Sequence, residues 1–275
     1  MTILGVHIAL SLLLMFLGIG AVGGFLSGLL GIGGGAIFVP ALLYAFQVMD
    51  YPAAHAMHMA VATSLSIVVL TSSSSTLAHY RRGAVDGKIY KSWTPFIVLG
   101  VVLGTMTAAS VSGGLLKNVF SVVLAAMSVY MIFTGEKKPA ENAHGYIPVL
   151  VQRGLACLVG ALASMAGLGG GVVLVPMMSF NGTPMNRAVG TGAAFSFTIG
   201  LPSAISYMIS GQAHAVDLPP LCVGYVSLIA LLLVCPASVL AAQLGAKAAH
   251  SVPRGLLKRI FGVVLLLVSL KVMLS

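Results

Sequence analysis

The stretch at residues 24–40 reads GFLSGLLGIGGGAIFVP, and a close copy, GALASMAGLGGGVVLVP, occupies residues 160–176. Eight of the 17 aligned positions are identical, including both glycine triplets and both final prolines. A long motif that recurs once indicates an internal duplication.

Two further blocks recur in the same order. AVATS at 60–64 aligns with AVGTG at 188–192, and LLKNVFSVVLAAMSVYMIF at 115–133 aligns with LLKRIFGVVLLLVSLKVML at 256–274. We therefore predict three segments: a first repeat at 1–138, a linker at 139–147 and a second repeat at 148–275.

The composition excludes a soluble globular domain. The 275 residues are 59% hydrophobic and 7% charged, with a mean hydropathy of +1.07, whereas soluble domains carry about 25% charged residues. The chain is therefore predicted to be a polytopic membrane protein. Its 14 basic residues outnumber its 5 acidic ones. They lie in short loops, where they set membrane topology, so no nucleic-acid partner is expected.

Each half contains four long apolar stretches. They are predicted at 5–30, 57–79, 93–112 and 115–134, and at 150–166, 187–209, 219–242 and 255–274. A shorter apolar piece, 31–48 or 167–180, follows the first stretch of each half, begins at the glycine triplet and contains Pro40 or Pro176. Glycine and proline weaken helices. These pieces are therefore predicted to be broken half-helices or re-entrant segments, with Pro40 and Pro176 as helix breaks, in an all-α polytopic membrane helix bundle.

The distribution of charge predicts how often the chain crosses the membrane. If each half crosses five times, the second half is inverted and twelve of the 14 basic residues lie inside. If the short pieces do not cross, the best orientation places eight inside. The positive-inside rule favours the first arrangement. We therefore predict inverted repeats with both termini periplasmic, leaving open whether the short pieces span fully.

The glycine triplets are the predicted substrate site. They lack the βαβ context of a dinucleotide-binding fingerprint. Close helix packing explains Gly20, Gly24 and Gly28, but three consecutive glycines also unwind a helix and expose backbone N–H groups beside a positive helix end. Such a cradle could hold an anion without a buried cation. Its predicted members are Gly33, Gly34, Gly35, Gly169, Gly170 and Gly171.

Hydroxyl groups in the next helix of each half are further candidates. Thr63, Ser64 and Thr191 could complete the shell around an oxyanion, although such hydroxyls also bond within or between membrane helices. The serine and threonine tract at 71–76 could line a wet path or pack against a helix.

Other polar residues carry weaker signals. His55 and His58 share a helix face beside two methionines, which suggests copper only weakly because no Cys, Asp or Glu joins them. No metal or cofactor is therefore expected, and the three cysteines give no redox signal. Basic residues at the inner mouth could attract anions, but topology and snorkelling explain them as well. They are Arg81, Arg82 and Arg187.

The duplicated motif GxGGGxxxxP, each copy followed by an A-V-x-T block, resembles the sulfite exporter TauE/SafE family, also called the 4-toluene sulfonate uptake permeases. The resemblance implies a multi-pass transporter of sulfite, sulfonates or related organosulfur anions in the bacterial inner membrane. It assigns the motif to the six triplet glycines with Pro40 and Pro176, and extends to Thr63 and Thr191.

Other classes of function remain open at this point. A passive anion channel or facilitator is the main alternative, and a non-transport membrane subunit a weaker one. An enzyme is not expected, because all five carboxylates fall in loops or at span ends. The expected partners are a small anionic substrate and the lipid bilayer, with a homo-oligomer left open.

Overall fold

The computed structural model describes residues 2–31, 33–133, 148–249 and 254–274. Within these ranges the chain forms ten α-helices, one 3₁₀ turn at Gly211–His214 and a hairpin of two short strands. The helices are α1 (Thr2–Leu30), α2 (Gly35–Val48), α3 (Ala53–Tyr80), α4 (Gly87–Ser110), α5 (Gly113–Phe133), α6 (Val149–Ala166), α7 (Gly171–Phe180), α8 (Met185–Ser210), α9 (Leu228–Ala248) and α10 (Arg254–Leu274). The strands are β1 (Cys222–Val223) and β2 (Val226–Ser227).

The all-α membrane bundle predicted from the sequence is confirmed. Seven of the described helices are long and apolar enough to cross a membrane. The short apolar pieces form α2 and α7, each between the first and second long helix of its half. The predicted linker, 139–147, lies outside the described residues, and the division into repeats stays a prediction.

Glycines, and not the prolines, interrupt the helices. Gly33 and Gly34, between α1 and α2, have φ of 79° and 77°, and Gly167, after α6, has φ of 68°. Such left-handed conformations end a helix and favour glycine.

The two prolines do not break the helices as predicted. Pro40 and Pro176 lie inside α2 and α7, near the start of each helix. A proline there removes one intrahelical hydrogen bond, yet the backbone on both sides stays helical. The prediction of these prolines as break points is therefore wrong, and the break lies in the glycines before them.

One predicted span begins too early. The stretch 219–242 was expected to be helical throughout, but α9 starts only at Leu228 and continues to Ala248. Two prolines precede it, and Leu221 and Gly224 both have positive φ. Residues 222–227 instead pair as an antiparallel hairpin, Cys222 with Ser227 and Val223 with Val226. Its apolar residues made the hairpin look like part of a helix.

The helix contacts repeat when the two halves are exchanged. Helix α1 packs along α9, and its counterpart α6 packs along α4. Likewise α3 contacts α9 while α8 contacts α4, and α2 packs on α3 while α7 packs on α8. Helices α3 and α8 pack together, as do α5 and α10. Each half is therefore completed mainly by helices of the other half.

Small residues allow the closest of these contacts. A Cβ on Gly24 would lie 2.5 Å from the Cα of Ser238, and one on Gly28 would lie 2.8 Å from the backbone of Ala242. The packing role expected for this glycine stripe is confirmed. Gly100 and Gly104 of α4 make equivalent contacts with the backbone of α6, and their four-residue spacing is the same sequence signal.

The register of these contacts gives the helix directions. Along the α1–α9 contact, Gly20, Gly24 and Gly28 meet Val234, Ser238 and Ala242 in turn. Residue numbers increase in the same direction along the two helices, so α1 and α9 run parallel. Helices α5 and α10 run antiparallel, because Ser128 bonds to the carbonyl of Gly262 while Ser269 bonds to that of Ser121.

The bundle has two chemically different ends. At the histidine end, which holds His55, His58 and His214, the start of α3 meets the end of α4 through His58 Nε2 and Ala108 O, 3.3 Å apart. At the basic end, which holds Arg81, Arg82 and Arg187, the end of α3 meets the end of α1 through His79 Nε2 and Gly28 O, also 3.3 Å apart. The arrangement as inverted repeats and the orientation in the bilayer both stay predictions.

Candidate functional site

The two glycine turns meet at the centre of the bundle. We call the residues around Gly31, Gly33 and Gly34 the first glycine turn, and residues 167–170 the second. A Cβ on Gly33 would lie 2.8 Å from the Cα of Gly169 and 3.0 Å from the Cβ of Ser196, halfway along α8. A Cβ on Gly35 would strike the carbonyl oxygen of Gly167. The structure therefore brings the two predicted triplets together.

The remaining triplet positions are closely packed by protein atoms. A Cβ on Gly34 would lie 2.7 Å from the Phe38 ring and 2.9 Å from the carbonyl oxygen of Gly23. A Cβ on Gly170 would strike the Cδ1 of Ile199. The backbone of Gly170 is helical, with a φ of −61°. Within the two glycine turns, positive φ occurs at Gly31, Gly33, Gly34 and Gly167.

The short helices begin at this junction. In α2 the N–H groups of Ile37 and Phe38 donate to Gly34 O, and in α7 those of Val173 and Leu174 donate to Gly170 O. The first amides of each helix have no acceptor inside it. Helix α2 then runs to the histidine end and α7 to the basic end, so their positive N-terminal ends converge.

Sequence reasoning missed Ser196, which is fully buried at the junction. Its Oγ donates to Gly192 O at 3.0 Å and accepts from Gly171 N at 3.4 Å. When Thr63 is aligned with Thr191, Ser196 aligns with Val68. Because valine has no hydroxyl, comparison of the two halves gave no signal for Ser196.

Ser64 braces the second glycine turn. Its Oγ donates to Gly167 O at 3.0 Å, across the contact between α3 and the other half. The counterpart of Ser64 is Gly192, where a Cβ would lie 3.2 Å from Gly31 O. Each recurring block thus lies against the glycine turn of the opposite half.

The two threonines bond to helix N-termini. Thr63 Oγ1 accepts from the N–H of Ser227, the N-cap residue of α9, at 3.0 Å. Thr191 Oγ1 accepts from the N–H of Asp86, the N-cap residue of α4, at 2.8 Å, and donates to Arg187 O. Both threonines are fully buried. Each therefore fixes the start of a helix in the opposite half.

Two inward-folded segments close the ends of the central region. The hairpin plug, residues 222–227, lies at the histidine end, and Tyr225, Val226 and Ser227 in it are buried. The loop plug, residues 83–86, lies at the basic end, where Ala84 is buried and its carbonyl contacts Gly190. Thr63 holds the first plug and Thr191 the second.

The serine and threonine tract at 71–76 lies along α9. Thr71 Oγ1 donates to Ser238 Oγ at 3.0 Å and Ser74 Oγ donates to Val239 O at 3.1 Å. Ser72 and Ser73 bond back to their own helix. These contacts favour the packing interpretation of the tract.

The other candidate residues lie away from the junction. Arg81, Arg82 and Arg187 are exposed at the basic end, and Asp86 accepts from the N–H groups of Lys88 and Ile89 as a helix cap. Across the described ranges, no group of three or more His, Cys, Asp or Glu side chains is placed to hold a metal ion.

Long apolar helices and two helices interrupted at corresponding positions define a class, the multi-pass integral membrane transporters. The chain belongs to the sulfite exporter TauE/SafE family, whose family model matches residues 16–272.

Relatives from distant organisms match most of the chain. A probable membrane transporter protein of Haemophilus influenzae is 28% identical over 263 residues, covering 96% of this chain and 98% of that protein. The probable membrane transporter protein YunE of Bacillus subtilis is 30% identical over 217 residues, covering 71% of this chain and 78% of that protein. The probable membrane transporter protein MJ0441 of Methanocaldococcus jannaschii is 26% identical over 246 residues, covering 86% of both chains. No solved structure matches the chain.

Proposed function

We propose that this protein carries a small sulfur oxyanion, of the sulfite or sulfonate class, across the bacterial inner membrane. The anion binds between the two glycine turns, and backbone N–H groups at the starts of α2 and α7 hold it. Membership of the family supports transport, and the family's name, sulfite exporter, supports a sulfur oxyanion as the substrate.

The convergence of two helix N-termini is the observation that carries this proposal. A helix N-terminus presents N–H groups that have no acceptor within the helix and roughly half a positive charge, which attracts an anion without a formally charged side chain. In this conformation the Gly171 N–H at the start of α7 donates to Ser196 Oγ, the kind of bond that an anion would replace. Among the described residues, no lysine or arginine touches Gly33, Gly35 or Gly170. Backbone donors therefore suit a site in a region where a buried cation is unfavourable.

Alternating access explains why the glycine turns touch each other. Gly33 and Gly169 are too close to admit an anion in this conformation, so binding requires the halves to move apart. Each half contributes one plug and the threonine that holds the other plug. Opening one plug while the other stays bonded would expose the junction to one side at a time. A passive channel would need both plugs open together.

The basic end is proposed to face the cytoplasm. The basic residues of the described chain in elements that begin or end there include Arg81, Arg82, Lys88, Lys91, Arg153, Arg187 and Lys247. Lys117 and Lys271 lie towards the histidine end, Lys271 Nζ being 5.4 Å from the Tyr44 ring centroid. The positive-inside rule then places the histidine end, and both termini, in the periplasm.

The proposed role is transport without catalysis. Asp86 is used as a helix cap, and Asp50 and Asp217 lie in segments between helices. A site made of backbone amides and buried hydroxyls offers binding but no general acid or base.

Counterflow in proteoliposomes tests the proposal. Vesicles loaded with unlabelled sulfite should accumulate labelled sulfite transiently, and a small sulfonate inside should stimulate the same uptake. A carboxylate such as acetate should not stimulate it, and sulfate should stimulate it less. Empty vesicles supply the control.

Two results would contradict the proposal. Stimulation by acetate but by neither sulfur compound would overturn the substrate class. Sulfite uptake that responds to its gradient yet shows no stimulation from the opposite side would indicate a channel.

A further inference from the structure

Three histidine rings surround one tyrosine at the histidine end. The ring centroids of His55 and His214 lie 5.0 Å apart. Tyr225 lies 5.1 Å from His58, 5.8 Å from His214 and 5.9 Å from His55, again between ring centroids. We call these four residues the histidine cluster.

The cluster joins two elements that must separate if the end is to open. His55 and His58 belong to the first turns of α3, whereas Tyr225 belongs to the hairpin plug and His214 to the 3₁₀ turn before it. Thr63, further along α3, bonds to the same hairpin through Ser227 N. The rings and this hydrogen bond therefore hold the plug against α3.

His58 is the most enclosed member of the cluster. Its side chain is 5% exposed. Nε2 lies 3.3 Å from Ala108 O, while Nδ1 makes no hydrogen bond of normal geometry among the described residues, although the backbone of Val111 lies near the ring. A neutral ring can donate from Nε2 and keep a lone pair on Nδ1. A second proton would leave a buried cation whose new N–H needs an acceptor or water.

Protonation would also change the contact between His214 and the plug. The Tyr225 hydroxyl lies 3.0 Å from Nδ1 of His214 and can donate to it only while that nitrogen is unprotonated. Once Nδ1 carries a proton, the tyrosine must turn its hydroxyl to become the acceptor.

We propose that the histidine cluster binds protons and that its protonation releases the hairpin plug. Two charged rings within about 5–6 Å repel each other, more strongly where water is excluded. The charges of His55 and His214 both act on His58, and they have the same sign when protonated. The tyrosines and the thiol at the hairpin, Tyr51, Tyr225 and Cys222, are neutral at these pH values and cannot offset the repulsion. The carboxylates of Asp50 and Asp217 lie in neighbouring segments but are not among the charges that act on His58.

None of the carboxylates that the structure describes, Asp50, Asp86 and Asp217, is buried. A proton site at the histidine cluster would let such a transporter couple to protons. Histidine titrates between about pH 5 and 8, which suits a surface exposed to an acidifying periplasm. The inference concerns how the plug opens, and it holds whichever anion the protein carries.

The native thiol of Cys222 reports on the plug directly. Cys222 lies in β1, and burial raises the pKa of its thiol, so the closed hairpin reacts slowly with thiol reagents. Replacing Cys157 and Cys235 with alanine leaves Cys222 as the single target. Its labelling by a membrane-impermeant maleimide is then measured in proteoliposomes without substrate, at several pH values.

Comparison with a cluster variant separates opening from ordinary thiol chemistry. The thiolate fraction falls with pH in every protein, so the readout is the parent rate divided by the rate of the H55Q/H58Q/H214Q variant. This ratio should rise about fivefold or more between about pH 7.5 and 5.5, as the histidines gain protons. The H55Q/H214Q variant, which keeps the buried His58, should show a smaller rise.

His79 provides the matched control because it is a buried histidine at the basic end. The H79Q variant should keep the parent pH profile at Cys222. A constant ratio between parent and both cluster variants, in monodisperse protein, would overturn the inference. Failure of sulfite counterflow together with a rising ratio would overturn the proposed substrate and leave the proton site supported.

Discussion

At the scale of single residues, Gly33 is constrained in two independent ways. It combines a φ of 79° with direct contact to the backbone of Gly169. A side chain there would be strained by its conformation and would also push the two glycine turns apart. Gly170 differs, because its backbone is helical and the atom facing it is the end of the Ile199 side chain.

We expect Gly33→Ala to be far more harmful than Gly170→Ala. A left-handed alanine costs about 1–2 kcal/mol, and the contact with Gly169 adds to this because backbone cannot rotate away. Gly170→Ala needs only a rotation of Ile199. Sulfite counterflow and thermal unfolding in detergent measure the difference. Equal flux in both variants, with both folded, would remove the first glycine turn from the substrate site.

The sequence identified most residues of the junction, but it did not predict which groups they bond to. The six triplet glycines could be identified because the motif recurs. Thr63, Ser64 and Thr191 were also singled out, but their bonding partners depend on how the halves pack, which no local pattern shows. Ser196 was missed because Val68 stands at the corresponding position.

At the scale of elements, the α1–α9 contact is formed backbone to backbone. Gly20, Gly24 and Gly28 lie along one side of α1, and the sites a Cβ would take are occupied by α9. In membranes such close approach supplies much of the attraction between helices. This contact should therefore determine folding yield and not the affinity for the substrate.

A leucine at position 24 should destabilise the bundle, whereas a leucine at position 18 should not. Gly18 lies on the same helix, and a Cβ there would meet nothing within 4 Å. Overpacking the contact at Gly24 is expected to cost about 1–3 kcal/mol. Thermal unfolding and the yield of monodisperse protein compare Gly24→Leu with Gly18→Leu. Equal yields and melting temperatures would show that the α1–α9 contact is not tight in the membrane.

Helix bounds followed from hydropathy except where a buried turn imitates a helix. The hairpin plug contains Cys222, Val223, Tyr225 and Val226, so it reads as part of an apolar span. Hydropathy reports burial from water but not backbone geometry. The two prolines before the hairpin were the available signal for a later helix start.

At the scale of the whole molecule, the basic loops of both halves gather at one end. The loop plug follows α3, and Lys247 lies at the end of α9, which packs beside Gly28 near His79. The proposal that the basic end faces the cytoplasm requires the loop plug and the end of α9 to lie on the same side of the membrane. Residues 250–253, between α9 and α10, lie outside the described ranges.

Cysteine labelling in intact cells checks this orientation. In a background without the three native cysteines, Asp86→Cys and Lys247→Cys should be protected from an impermeant maleimide, while Gln212→Cys and Asp50→Cys should react. Permeabilised cells supply the control, because all four should then react. Opposite behaviour at positions 86 and 247 would contradict the inverted arrangement, since the contacts place both at the basic end.

The exchange of threonine hydrogen bonds has a consequence for how the chain folds. In a symmetric dimer, residue i of one copy contacts residue j of the other, and the reverse contact forms as well. Thr63 with Ser227, and Thr191 with Asp86, follow this rule within one polypeptide. Neither half can therefore complete its helices alone, because each supplies the hydroxyl that holds the start of a helix in the other.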